Sequence, residues 1–132
     1  MFKHNIKYTD FNGIERQEDF YFHLSLPELT RIEARVGTTL DKYTEDLVSR
    51  QDLNELIRFL EDTILTAYGR KSPDGRAFLK SKEIRDEFEY SQAYAELFEQ
   101  LLTNVELARK FGAGLADTGK AKKNTVAPKV VE

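Results

Sequence analysis

The sequence predicts an α+β fold, mainly α-helical: a β-hairpin over residues 2–24, five or six short helices over 25–115, and a flexible, disordered tail over 116–132. Three observations predict it. Apolar and aromatic residues alternate with polar ones on both sides of one glycine turn near the N-terminus. From Ser25 onward apolar residues recur at helical spacing, and most of these stripes open at a Ser, Thr, Asp or Asn able to cap a helix. After Ala116 neither period continues.

In the hairpin, Phe2, His4, Ile6 and Tyr8 alternate with Lys3, Asn5, Lys7 and Thr9, and Phe20, Phe22 and Leu24 take the even positions of the second run. Asp10-Phe11-Asn12-Gly13 lies between them. Asp suits the first position of a type I turn and Gly the left-handed position that follows. A three-residue loop, Phe11 to Gly13, pairs His4 with Phe20 and Phe2 with Phe22, so all even positions share one face. A two-residue loop would set Phe20 opposite Asn5 and mix the faces, so the longer loop is expected. The other face, with Lys3, Asn5, Lys7, Gln17 and Asp19, should be solvated.

The helices follow in order. Ser25-Leu26-Pro27-Glu28 is a capping box opening a helix with Leu26, Leu29, Ile32 and Val36 inward, stopped by Gly37. Thr39 caps a second helix with Leu40, Tyr43, Leu47 and Val48 inward. Asp52 caps a third, with Leu53, Leu56, Ile57, Leu60, Ile64, Leu65 and Tyr68 on its stripe and Gly69 as its stop. Ser72-Pro73-Asp74-Gly75 is a turn. Ser81 caps a short helix with Ile84 and Phe88, and Ser91 one with Tyr94, Leu97, Phe98, Leu101 and Leu102. Thr103-Asn104 opens a last helix, ending in Gly112-Ala113-Gly114. Residues 1–115 are expected to form one globular domain.

Composition narrows the function. Of the 132 residues, 40% are hydrophobic and 33% charged, with a net charge of −3. Residues 1–115 hold 16 basic and 21 acidic side chains; the tail holds Lys120, Lys122, Lys123 and Lys129 against Asp117 and Glu132. An acidic body repels phosphate backbones, which argues against nucleic acid as a partner. Without cysteine there is no disulfide, thiolate metal site or cysteine nucleophile. No apolar run reaches the length of a membrane span, and the N-terminus lacks a signal-type stretch, so a cytoplasmic protein with no membrane partner is expected.

Catalytic chemistry finds no residues to stand on. His4 and His23, the two histidines, fall on opposite faces of the hairpin and cannot readily share a metal; His4 suits a core edge beside Phe20 and His23 a surface. The carboxylate groups Glu45/Asp46, Glu61/Asp62 and Asp86/Glu87/Glu89 lie on polar sides of helical stripes, where a solvated face is the ordinary explanation. Gly112-Ala113-Gly114 precedes no helix and is no phosphate loop. Asp74-Gly75 lacks the oxygen series of a calcium loop. A non-enzyme with no metal and no cofactor is expected.

Aromatic residues are the remaining signal. Tyr68, Phe78, Phe88, Tyr90, Tyr94 and Phe98 crowd around the Ser72–Gly75 turn and the two helices after it. Core packing accounts for most of such a set. Short helices offer limited interior, however, and Phe78 sits in the polar segment Arg76–Lys80. These six are the candidate partner-binding residues, and some of them are expected to form an exposed apolar patch of the kind that marks protein interfaces.

Two stretches carry a family resemblance: YTDFNGIERQEDFYFHLSLPEL at residues 8–29, and AYGRKSPDGRAFLKSKEIRDEF at 67–88, followed by AYAELFEQLLTN at 93–104. Together they resemble the tail assembly chaperones of siphophages and of prophages of Gram-positive bacteria, over residues 2–115 in the same order. The resemblance implies a chaperone that coats the long helical tape measure protein before the tail tube polymerises, acts in the host cytoplasm and is absent from the mature virion. It implies no catalytic or ligand position. The major tail protein and a second copy of the chain are further expected partners. Two alternatives remain open: a structural tail or head-completion protein retained in the virion, and a small regulatory DNA-binding protein. The second needs a basic recognition helix, and the one carrying Lys82 and Arg85 is balanced by Glu83, Asp86, Glu87 and Glu89.

Overall fold

A computed structural model describes residues 1–115; the expectations of a flexible tail at 116–132 fall outside the described residues. The elements run β1 (Phe2–Thr9), β2 (Glu15–Phe22), α1 (Leu26–Val36), α2 (Leu40–Ser49), α3 (Leu53–Ala67), β3 (Tyr68–Lys71), β4 (Phe78–Leu79), α4 (Lys82–Glu89), α5 (Gln92–Thr103) and α6 (Val105–Leu115). The fold is α+β and mainly helical, as expected.

The hairpin register is the expected one. Phe2 pairs with Phe22 and His4 with Phe20, across the loop Phe11–Gly13. Asp10 explains the loop. Its backbone N–H donates to the Ile14 carbonyl at 2.9 Å, and its carboxylate accepts from the N–H groups of Asn12 and Ile14 and from Arg16 Nε. Gly13 takes φ of 80°, where a Cβ would clash with its own backbone. On the solvated face Asn5 bonds both Asp19 and Gln17. The even face buries Ile6 and Phe22 against the helices, and α5 lies across β1, where His4 Nε2 is 2.9 Å from Gln100 Oε1.

Each helix opens on the expected cap. Ser25 and Glu28 complete a reciprocal box, and Gly37 ends α1 in the left-handed conformation. Thr39, Asp52, Ser81 and Ser91 accept N–H bonds from Lys42, Glu55, Ile84 and Tyr94. Asn104 accepts from Leu107. One cluster of buried residues, including Phe22, Leu24, Leu47, Ile64, Leu97 and Leu115, forms the core between sheet and helices.

The structure corrects the sequence-based expectations at four places. Gly69 does not stop α3 in a left-handed turn. The helix ends at Ala67, and Tyr68–Lys71 enters the sheet as β3, beside β2 through Tyr21–Gly69 and Phe22–Tyr68. The expected turn then closes a second hairpin, with Arg70 opposite Leu79 and Lys71 opposite Phe78. The sheet therefore has four strands in the order β1-β2-β3-β4, all neighbours antiparallel. Strands of four and two residues are too short to show a period.

Gly112-Ala113-Gly114 do not end the last helix. Helix α6 runs through them to Leu115. Glycine in a helix interior costs about 1 kcal/mol relative to alanine, but this stretch continues because it docks. A Cβ on Gly114 would stand 3.0 Å from Phe2 Cβ, and Leu115 is wholly enclosed.

Leu26, Val48, Leu53 and Leu102, expected inward, are exposed. Each lies in the first or last turn of its helix, where the apolar stripe outruns the surface it packs on. His23, expected on the surface, is half-buried, with the Phe78 ring edge-on at 5.9 Å between centroids.

Candidate partner-binding surface

The six candidate aromatics divide into three groups. Tyr68, Phe88, Tyr94 and Phe98 form one connected series of rings. Tyr68 leads β3 and lies flat on Phe88 of α4, centroids 4.3 Å apart and planes 14° apart. Phe88 meets Tyr94 at 5.6 Å, and Tyr94 meets Phe98 one turn along α5 at 6.3 Å. Phe88 also touches Phe20 and Phe22 of the hairpin, at 5.4 and 5.6 Å. It is the hub of the core, 2% exposed, and offers no surface of its own to a partner. Tyr68, Tyr94 and Phe98 are half-buried.

Phe78 stands apart, half-buried over the backbone of Gly69. Tyr90, the C-cap of α4, is 71% exposed. It is the candidate most open to solvent, because α4 ends before its ring can turn inward. The six do not form one patch.

Burial holds the Tyr68 and Tyr94 phenols above their ordinary pKa; for Tyr94 the carboxylates of Glu61, Glu89 and Asp62 add to it. Both stay neutral across any physiological pH. The Tyr94 hydroxyl is enclosed, and it makes no hydrogen bond of proper length and angle to a described residue.

Two grooves open on the surface, one of them beside these rings. One, of about 350 Å³, lies where β3 leaves β2, between Phe20, Tyr21 and Tyr68, with Glu18, Arg70 and Lys71 at its rim. Lys71 Nζ sits 4.6 Å above the Tyr21 ring and covers part of its face. The other, of about 290 Å³, lies between α1, α3 and α4 over Ile32 and Leu65, walled by Arg35, Asp62, Arg85 and Glu89. Mixed charge at both rims suits a protein surface better than a small ligand. Among the described residues no three His, Asp or Glu side chains converge as a metal site, and no helix is long and apolar enough to cross a membrane.

Further open apolar surface lies at helix corners. Val48 and Leu53 flank the tight α2–α3 turn at 57% and 60% exposure, and Leu102 and Val105 flank the α5–α6 turn, Val105 at 70%. Sequence reading missed the first three by assigning them to the core. Their position beside Arg50-Gln51-Asp52 and Thr103-Asn104, within one turn of a cap, was the available signal.

No curated protein and no solved structure shows significant similarity to the chain. A family model described as phage tail assembly chaperone matches residues 1–122, which takes in both hairpins, the six helices of the described residues and both corners. The chain belongs to the phage tail assembly chaperone family.

Proposed function

We propose that this chain binds the tape measure protein of a phage tail in the host cytoplasm, keeps its apolar helical surface from aggregating, and leaves before the virion is complete. The observation that carries this reading is the exposed apolar pairs Val48/Leu53 and Leu102/Val105 on a body of acidic charge, in a chain of the chaperone family. Apolar side chains on helix corners can cover an apolar helix in water, and net negative charge keeps the covered complex dispersed. Tyr90 and Phe78 extend the proposed contact, together with the half-buried Tyr68, Tyr94 and Phe98. No step in this role calls for a cofactor or bond chemistry.

The test is co-expression with a tape measure fragment that aggregates alone. The chain should keep the fragment soluble, and replacing Val48, Leu53 and Tyr90 with serine should reduce that effect. Equal solubility with and without the chain overturns the reading. Mass spectrometry of purified particles separates a chaperone, which should be absent, from a structural tail protein.

A further inference from the structure

Helix α6 is held to the rest of the domain by apolar contact. Its first turn bonds Asn104, and Arg109 pairs with Glu106 of the same helix. Beyond that cap, no hydrogen bond or ion pair joins α6 to another element among the described residues. Phe111 seats it, edge-on to Phe2 and Phe22 at 5.2 and 5.5 Å between centroids, together with the wholly enclosed Leu115 and the half-buried Leu107 and Ala108. Lifting α6 would bare an apolar seat floored by Phe2 and Phe22.

Gly112 weakens this helix without a packing reason. Gly13, Gly37 and Gly75 take positive φ, and at Gly69 and Gly114 a Cβ would stand 2.6 and 3.0 Å from its nearest neighbour. Gly112 meets neither condition. A Cβ there would lie 3.5 Å from Asp41 Oδ1, an ordinary contact, with nothing nearer outside its own helix. Alanine would fit and would favour the helix about fivefold. The seat therefore holds a weaker helix than it could.

We infer that α6 is a removable cover, and that an amphipathic helix of the tape measure protein takes its seat against Phe2 and Phe22. The inference rests on the proposed partner and adds where one of its helices is held.

The seat specifies a helix because it holds one. It takes large apolar side chains at the places of Leu107, Phe111 and Leu115, each four residues from the next. It needs a small residue at the place of Gly114, where Phe2 Cβ comes within 3.0 Å of a Cβ. A partner helix of that pattern without glycine at the place of Gly112 fits the same seat and holds its shape better than α6. The α6 of a second copy brings the same glycine and the same contacts. It gains nothing over the tethered helix, which its own linkage keeps at high local concentration. Helix α6 also begins at the exposed Leu102/Val105 corner, so a partner bound there lies next to the seat.

The chain has no cysteine, so two introduced ones can lock the cover. Asp41→Cys/Gly112→Cys sets thiols across the contact of α2 with α6. Should the disulfide not close, a short bis-maleimide bridges the same pair. The locked full chain should capture a tape measure fragment about tenfold or more weakly than the same variant unlocked. In the wild-type background, Gly112→Ala should melt higher and capture about fivefold more weakly. Capture that ignores the lock would overturn the inference, as would a Gly112→Ala chain that melts higher and captures as well as wild type. An unlocked chain that doubles its mass in light scattering without the fragment, while the locked chain stays single, would give the seat to a second copy and overturn it too. Co-expression keeps the two proposals apart. A wild-type chain that fails to solubilise the fragment defeats the proposed function, whereas a locked chain that solubilises as well as the unlocked one defeats the displacement of α6 alone.

Discussion

Gly69 is held face to face with Phe78: a Cβ on Gly69 would stand 2.6 Å from Phe78 Cε2 and equally close to the carbonyl oxygen of Leu79. This contact folds the second hairpin back on itself and brings the Phe78 ring beside His23. Gly69→Ala should therefore destabilise the domain by roughly 1–3 kcal/mol through overpacking. Shrinking the ring in Gly69→Ala/Phe78→Ala should not restore stability, because the backbone oxygen remains in place. Thermal melts of both variants check it; full recovery in the double variant would show that the ring alone sets the requirement.

Phe22 is wholly enclosed, touching Phe2, Tyr68, Phe88 and Phe111. Phe22→Ala should cost about 3–5 kcal/mol, a large share of the stability of a small domain. Denaturant unfolding measures it. A midpoint unchanged from wild type would contradict the register of the hairpin.

Glu28 ties the start of α1 to the end of β4. Lys80 Nζ lies 2.7 Å from its carboxylate and donates to the His23 carbonyl at 2.7 Å, and the carboxylate also accepts the Ser25 N–H. Burial pushes the Glu28 pKa up, but Lys80 and the Ser25 N–H together hold it below its ordinary value. A depressed folded-state pKa adds stability above the unfolded value of 4.5, and that stability is lost as pH falls through the folded one. Glu28→Gln keeps an N3 side chain able to cap, and removes the charge. The variant should lose roughly 1 kcal/mol at neutral pH and show a flatter loss of stability in acid. Unfolding free energies across pH 3–7 would reveal a wild-type acid limb if the argument holds, and two parallel curves if it does not.

Tyr90 separates binding from folding. At 71% exposure its replacement by serine should leave stability within about 0.5 kcal/mol of wild type. The same change should lower the yield of soluble tape measure fragment. Phe88→Ala should do the reverse of the first part, costing about 3–5 kcal/mol. A Tyr90→Ser chain that melts normally and solubilises normally would remove that ring from the proposed contact.

Local chemistry alone determined the hairpin and its register, because Asp10 and Gly13 allow one loop and the even-position aromatics tolerate one pairing. It also determined where the helices begin, since a cap bonds N–H groups two or three residues away and needs no distant partner. Its limit is reached where a residue's role depends on something far along the chain. Gly69 looks like a helix stop until Phe78 and Leu79 close on it. Gly112 and Gly114 look like a terminator until Phe2 packs against the helix they belong to. Tyr68, Phe88, Tyr94 and Phe98 are equivalent in spacing, and only the meeting of β3, α4, α5 and the hairpin makes Phe88 the enclosed hub and leaves the others at its margin. Val48, Leu53 and Leu102 follow the same helical period as buried neighbours, yet no surface reaches them. A period reports which side of a helix is apolar; the length of that side that gets covered depends on where the packing partner ends.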